Sequence, residues 1–166
     1  MRELAQTASV RFDFLDEVRV GEATTGLGWV TGDEQLDFAI LALREPTSGR
    51  TPLRIQRSPA LKGHRLNIAQ HPLAGPLSFA IRENDFVASP SPALIHYLCD
   101  TEPGASGAPV CNDHWEVVAL HHASRAVNVQ INGRVYSTHN EGILMGPILE
   151  KLTPELRASL TEAPQR

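Results

Sequence analysis

Long apolar runs are missing from this 166-residue chain. The longest, Phe38 to Leu43, is far too short to span a bilayer, so no membrane partner is expected. A basic excess is missing as well: the net charge is −4. Without a cationic footprint for a phosphate backbone, nucleic acid is not an expected partner. The start, Met-Arg-Glu-Leu-Ala-Gln, has neither the apolar core nor the cleavage signature of a signal peptide, so a cytoplasmic protein is expected. Cysteine is confined to Cys99 and Cys111. With no secretion signal both are expected as reduced thiols, the alternative being a disulfide between them. Internal repeats and low-complexity segments are also absent.

What is present reads as a globular chain rich in short strands. A hydrophobic content of 42% is that of a folded domain. The length suits one ordinary domain or two small lobes. Val10, Phe12 and Phe14 alternate with Arg11 and Asp13, the period of a half-buried strand. Gly21 and Gly26 to Gly28 mark turns, and Leu27 to Val30 reads as a strand. A polar approach from Gly32 leads into a buried strand ending at Leu43. Pro46 to Pro52 is a Gly- and Pro-containing loop. Further strands are expected at Leu53–Ile55, His64–Gln70, Leu77–Ile81, Asp85–Ala88, Leu94–Cys99, Trp115–Ala123 and Arg134–Ser137. Pro90 and Pro92 keep their own segment out of a sheet interior. Short strands at roughly eight- to twelve-residue spacing argue for an all-β barrel or sandwich. Near the C-terminus, Asn140 to Leu152 turns into a helix with Pro147 in its first turn, and Thr153-Pro154-Glu155 caps a second. The last residues, 161–166, are expected to fray.

The densest signal is Asp100-Thr-Glu-Pro-Gly-Ala-Ser-Gly-Ala-Pro-Val110. Ser106 sits between Gly104 and Gly107, where the backbone can take conformations closed to residues with a Cβ. Such a loop can aim successive amides at one point, the arrangement that acyl transfer needs beside its nucleophile. The alternative is a plain Gly/Pro turn between two strands. A nucleophile elbow would require a following helix. Here Ala108-Pro109 lead into a strand, which excludes that class. Cys111, His114, His121 and His122 could be assembled into a metal set. Their spacing is not a standard zinc pattern and alternate strand residues point to opposite faces, so no metal or other cofactor is expected.

Asp100 to Val110, followed by Trp115-Glu-Val-Val-Ala-Leu-His-His122, resembles the active-serine region of bacterial trypsin-like peptidases of the chymotrypsin superfamily. The glutamyl-endopeptidase-like branch is the most similar, and the resemblance runs from about Phe12 to about Leu152. It implies a chymotrypsin-like double β-barrel: a partial N-terminal barrel at 1–76, a C-terminal barrel with the serine loop at 77–152, and a C-terminal helix and tail at 153–166. It further implies Ser106 as nucleophile, the amides of Gly104 and Ser106 as the oxyanion hole, and peptide or protein substrates. Asp37-Phe-Ala-Ile40 matches the family's triad carboxylate, for which a solvated turn acid is the plain alternative and Asp33 the fallback. The strand Ala119, Leu120, His121, His122, Ala123 would bind substrate by β-augmentation. Thr101 and His121 match the floor and wall of a pocket for acidic side chains. Asp100, six residues before Ser106, instead matches the position that selects Lys or Arg.

One element of the pattern is missing. A serine needs a histidine within hydrogen-bond reach, and in this family the order is His, Asp, Ser. No histidine precedes His64, and too little chain precedes Asp37 to close a first barrel. His71, a histidine before Pro72 at a strand end, reads as structural. The chain is therefore expected to be truncated relative to the family, with an upstream segment or a second chain supplying the base. Two functions follow. One is a serine endopeptidase, inactive or incomplete as this chain stands. The other is a catalytically dead module that binds peptides or a partner protein.

Overall fold

The computed structural model describes residues 7–161 apart from 26, 46–48, 60, 83 and 132. The expected turn residue Gly26, part of the Pro46–Pro52 loop and the tail 162–166 lie outside the described residues. The chain divides into two compact units, residues 1–52 and 53–166. The boundary expected between 76 and 77 falls inside the second unit, between strands that pair with each other. Leu53 opens the second unit because the next residues are tied into it. Gln56 N–H donates to the Val117 carbonyl at 2.9 Å and Val117 N–H to that of Arg54 at 2.7 Å.

The first unit holds two antiparallel pairs, β1 (Ser9–Phe12) with β2 (Glu22–Thr25), and β3 (Gly28–Asp33) with β4 (Phe38–Ala42). The alternation read in the sequence is borne out in β1, where Val10 and Phe12 are half-buried and Ser9 and Arg11 exposed. The Arg50 guanidinium lies 4.5 Å from the centre of the Phe12 ring and pairs with the Asp13 carboxylate at 2.8 Å. In the β3–β4 hairpin a Cβ at Gly32 would meet the Trp29 ring and the Phe38 carbonyl, each at 2.7 Å. Only glycine lets the indole cross the strand at that point.

The second unit is one antiparallel sheet of order β6-β5-β9-β10-β11-β8-β7. Its strands are β5 (Asn67–Gln70), β6 (Ser78–Ala80), β7 (Phe86–Ser91), β8 (Leu94–Tyr97), β9 (Pro109–Cys111), β10 (Val117–Ile131) and β11 (Arg134–Leu144). The two ends of that order, β6 and β7, are consecutive in the chain. Between them, Leu66 N–H donates to the Asn84 carbonyl at 2.8 Å and Phe86 N–H to that of His64 at 3.3 Å. With the Arg65–Asp85 bridge, these bonds make β6 and β7 two halves of one interrupted strand, which draws the sheet round toward a barrel. The fold class read from the sequence, all-β with a short helical end, is therefore the observed one.

The barrel interior is filled by Leu66, Ile68, Ile95, Tyr97, Val110, Val118 and Ala119, which form one buried cluster. Burying a side chain such as Ile68, fully enclosed here, stabilises by about 1.5–3 kcal/mol. Truncating it to alanine costs about 2–5 kcal/mol once the cavity is counted. Helix α1 (Met145–Glu150) continues directly from β11 and buries Met145, Ile148 and Leu149. Helix α2 (Pro154–Thr161) starts on Thr153, whose Oγ1 accepts the Leu156 N–H at 3.3 Å. Arg157 reaches back to donate to the Leu149 carbonyl at 2.8 Å, an oxygen that also accepts the Leu152 N–H at 3.2 Å, and so ties α2 to the end of α1. Among the described residues no helix is long and apolar enough to cross a membrane.

Candidate active site

The serine loop joins β8 to β9, and its shape follows from two left-handed glycines. Gly104 has φ +97 and Gly107 φ +83. Two tight turns result: Ala105 N–H donates to the Glu102 carbonyl at 3.2 Å and Ala108 N–H to that of Ala105 at 3.0 Å. Ala105 is buried at the base while Ser106 is exposed at the tip. Two anchors hold the loop. On one side Leu73 N–H donates to the Pro103 carbonyl at 2.8 Å. On the other, Gly107 N–H donates to the His121 carbonyl at 2.8 Å and His121 N–H to that of Ala108 at 2.9 Å. Among the described residues the amides of Gly104 and Ser106 make no backbone hydrogen bond. Two donors beside an exposed hydroxyl are what an oxyanion would need.

Beside the loop lies a cavity of about 660 Å³, between β6 with its continuation to Arg82 and the segment Cys99 to Glu102. Asp100 and Thr101, both expected at a specificity pocket, line it. Its floor holds two residues that the sequence reading missed, Ser124 and the buried Asn140. Thr101 Oγ1 donates to Asn140 Oδ1 at 3.0 Å, Ser124 Oγ donates to the same oxygen at 2.7 Å, and Asn140 Nδ2 donates to the Cys99 carbonyl at 2.7 Å. Gln70, also missed, donates from Nε2 to the Asp100 carbonyl at 2.9 Å. No local motif marks these polar residues, because β5, β10 and β11 converge here only through pairing. Burial pushes the Cys99 thiol up to about 12, with the Asp100 charge adding to the effect. It is a neutral wall group. Cys99 and Cys111 are separate thiols.

His121 does not line the cavity. It is buried, and its Nδ1 lies 2.7 Å from the Tyr97 hydroxyl. Burial, aided by the neighbouring His122, holds its pKa below the usual histidine value and keeps it neutral. The next residue, His122, points to the other face, as successive strand residues do, and the register of β10 against β11 shifts between His121 and Ala123. There His122 Nε2 lies 4.0 Å from the Glu141 carboxylate, which also accepts from Arg125 at 2.8 Å and His96 at 3.1 Å. Burial pushes Glu141 upward, but the bonds from Arg125 and His96 outweigh it and hold the carboxyl below its usual range. His139 stacks on His96 at 4.0 Å between ring centres, and both its ring nitrogens are buried without a partner.

The backbone of Ala119 and Leu120 is paired on both sides, to β9 and to β11. The β9 ladder ends at Leu120, and the serine loop then takes both backbone groups of His121. A substrate strand expected along Ala119–Ala123 therefore finds Ala119, Leu120 and His121 already occupied.

In the first unit Asp37 closes the turn before β4 with φ +47 and is exposed. Asp33, the fallback, accepts the N–H of Gln35 at 3.0 Å and of Leu36 at 2.9 Å, an Asx turn that shapes the hairpin. His71 is exposed and donates from Nδ1 to the Gly75 carbonyl at 3.0 Å. Among the described residues no group of three or more His, Cys, Asp and Glu side chains is placed to hold a metal ion.

Residues 4–120 match the profile of the family described as a trypsin-like peptidase domain. The crystal structure of the Rv3671c protease from M. tuberculosis, in its active form, superposes with a TM-score of 0.55 at 19% identity, covering 86% of this chain and 63% of that one. An uncharacterized protein of Sinorhizobium fredii, y4fB, is 33% identical over 123 residues, which is 64% of this chain and 18% of that protein. Secreted RxLR effector protein 73 of Plasmopara viticola is 32% identical over 115 residues, 62% of this chain and 28% of that protein. The chain thus spans less than a third of either curated relative.

Proposed function

This chain belongs to the trypsin-like peptidase domain family, and from that premise we propose that it is the serine-bearing part of an endopeptidase that acts through an acyl-enzyme. The observation that carries the reading is the loop. Ser106 is exposed at its tip, and the adjacent amides of Gly104 and Ser106 take no backbone partner within the described chain. In this reading Ser106 Oγ attacks a peptide carbonyl. Those two amides receive the oxyanion, and a substrate strand lies along β10 from Ala123 onward. Asp37 is the carboxylate assigned to orient the catalytic imidazole. That imidazole is not upstream of Asp37 in this sequence, so a further segment or a second chain supplies it.

In a second reading the same groove binds a peptide without cutting it. A fluorophosphonate probe separates the two when applied to the protein and to Ser106→Ala. Phosphonylation found at Ser106 by mass spectrometry, and lost in the variant, supports the peptidase. A folded protein that stays unlabelled, both alone and with cell extract from its host, sinks it and leaves the binder.

A further inference from the structure

Three histidines, an arginine and a carboxylate share the face of β8, β10 and β11 that points away from core residue Tyr97. In the ladder Glu141 stands opposite His96, and Arg125 opposite His139. The Glu141 carboxylate is already shared. It accepts from Arg125 at 2.8 Å and from His96 at 3.1 Å, and it lies 4.0 Å from His122. His139 is left out of this arrangement. It is 9% exposed, stacks on His96 with ring centres 4.0 Å apart, and has no partner on either ring nitrogen. A neutral imidazole carries one N–H and one lone pair, whereas the imidazolium carries two N–H groups. A proton on the stacked ring would therefore leave two buried donors unpaired and add a positive charge beside Arg125 and His96. Burial first, and then His96, hold its pKa below the usual histidine value, with Arg125 adding to them and Glu141 opposing.

The other side of His139 differs. The β8–β11 ladder ends with Asn140 opposite Tyr97, and His139 is the first residue of β11 beyond that rung. There β8 has left β11, and a cavity of about 80 Å³ opens between residues 98–100 and 136–140. That is room for several waters. His139 lines it, and so does Asp100, the one carboxylate among its walls. The other titratable groups there are the Tyr136 phenol and the Cys99 thiol, which burial pushes up to about 12; neither becomes a cation. We infer that His139 is a proton-operated switch between two partners: neutral, it stacks on His96; protonated, it leaves the stack for the Asp100 carboxylate across the small cavity. Asp100 also lines the larger cavity beside the serine loop. A proton taken up at His139 in weak acid therefore cancels a negative charge on that wall. The switch operates whether the loop cuts a peptide or only binds one.

The test is nuclear magnetic resonance of the full chain, isotope-labelled at histidine and aspartate. At about pH 8 the His139 ring should show through-space contacts to the His96 ring. At about pH 5, on the acid side of the histidine range, those contacts should be lost and replaced by contacts to the Asp100 β-protons. A His139 ring that titrates yet keeps its His96 contacts overturns the inference, and so does a ring still neutral and stacked at pH 5. Asp100→Asn then removes the charge at an exposed position while keeping the side chain's shape. The titration midpoint of the His139 ring should fall by about one pH unit, the scale on which a single opposite charge favours the ionised form. An unchanged midpoint removes Asp100 as the second partner and overturns the switch. The contact measurement uses the parent chain alone, so it decides the matter even where the variant fails to fold.

Discussion

Two glycines flank Ser106, and replacing each by alanine separates backbone conformation from close approach. Both take left-handed φ, +97 at Gly104 and +83 at Gly107, a conformation that costs a residue with a Cβ about 1–2 kcal/mol. Alanine also restricts the unfolded chain, which returns about 0.4–1 kcal/mol. At Gly107 a Cβ would meet nothing within 4 Å, so Gly107→Ala should cost only about 0.5–1.5 kcal/mol. At Gly104 the Cβ would stand 3.2 Å from Leu73 N, 3.5 Å from His71 O and 3.6 Å from Ala74 N. The contact with Leu73 N is the tight one, and that backbone, itself left-handed at φ +53, is tied to the loop through Pro103, so making room there stretches the Leu73–Pro103 bond. Overpacking of that kind adds about 1–3 kcal/mol, for a total near 2–4 kcal/mol. Urea unfolding followed by circular dichroism should place the Gly104→Ala midpoint about 1 M or more below the parent, with Gly107→Ala close to it. Equal shifts in the two variants would refute the claim that the loop is seated against residues 71–74.

Tyr97→Phe should destabilise the second unit by about 1–3 kcal/mol with little change in packed volume, because buried His121 Nδ1 loses the Tyr97 hydroxyl as its partner; a urea-derived change under about 0.5 kcal/mol would count against that bond. Stability should also fall on the acid side of neutrality. Burial first, and then the nearby His96, hold His139 below the ordinary histidine value of 6.5. The unfolded chain therefore takes up this proton at higher pH than the folded one. The contribution is complete above about 6.5 and is lost as pH falls through the folded value. His121, depressed mainly by burial, acts in the same sense. Glu141 extends the trend at lower pH, since its contribution is present above its ordinary 4.5 and is lost as its depressed value is crossed. Urea midpoints measured between pH 5 and 8 should show the slope, and His139→Leu should flatten its upper part; a slope unchanged in that variant would remove His139 as its source.

The strand rhythm and the serine loop were legible in the sequence because both are local. Alternation at Val10 and Phe12 is a property of neighbours along the chain, and so is the need for glycine at 104 and 107, where φ admits little else. Thr153-Pro154-Glu155 announced α2 for the same reason, since a cap is built within one turn. Of the pocket, the resemblance marked Asp100 and Thr101 and missed the rest. Gln70, Thr101, Ser124 and Asn140 come together only because β5, β10 and β11 pair in one register, and a slip of one residue would turn Asn140 away from the cavity. The place of His121 was decided in the same way. Strand alternation sends it and His122 to opposite faces, but only the packing fixed their partners, Tyr97 for one and Glu141 for the other. Sequence determined which polar groups were available here, and tertiary pairing decided which of them line the cavity.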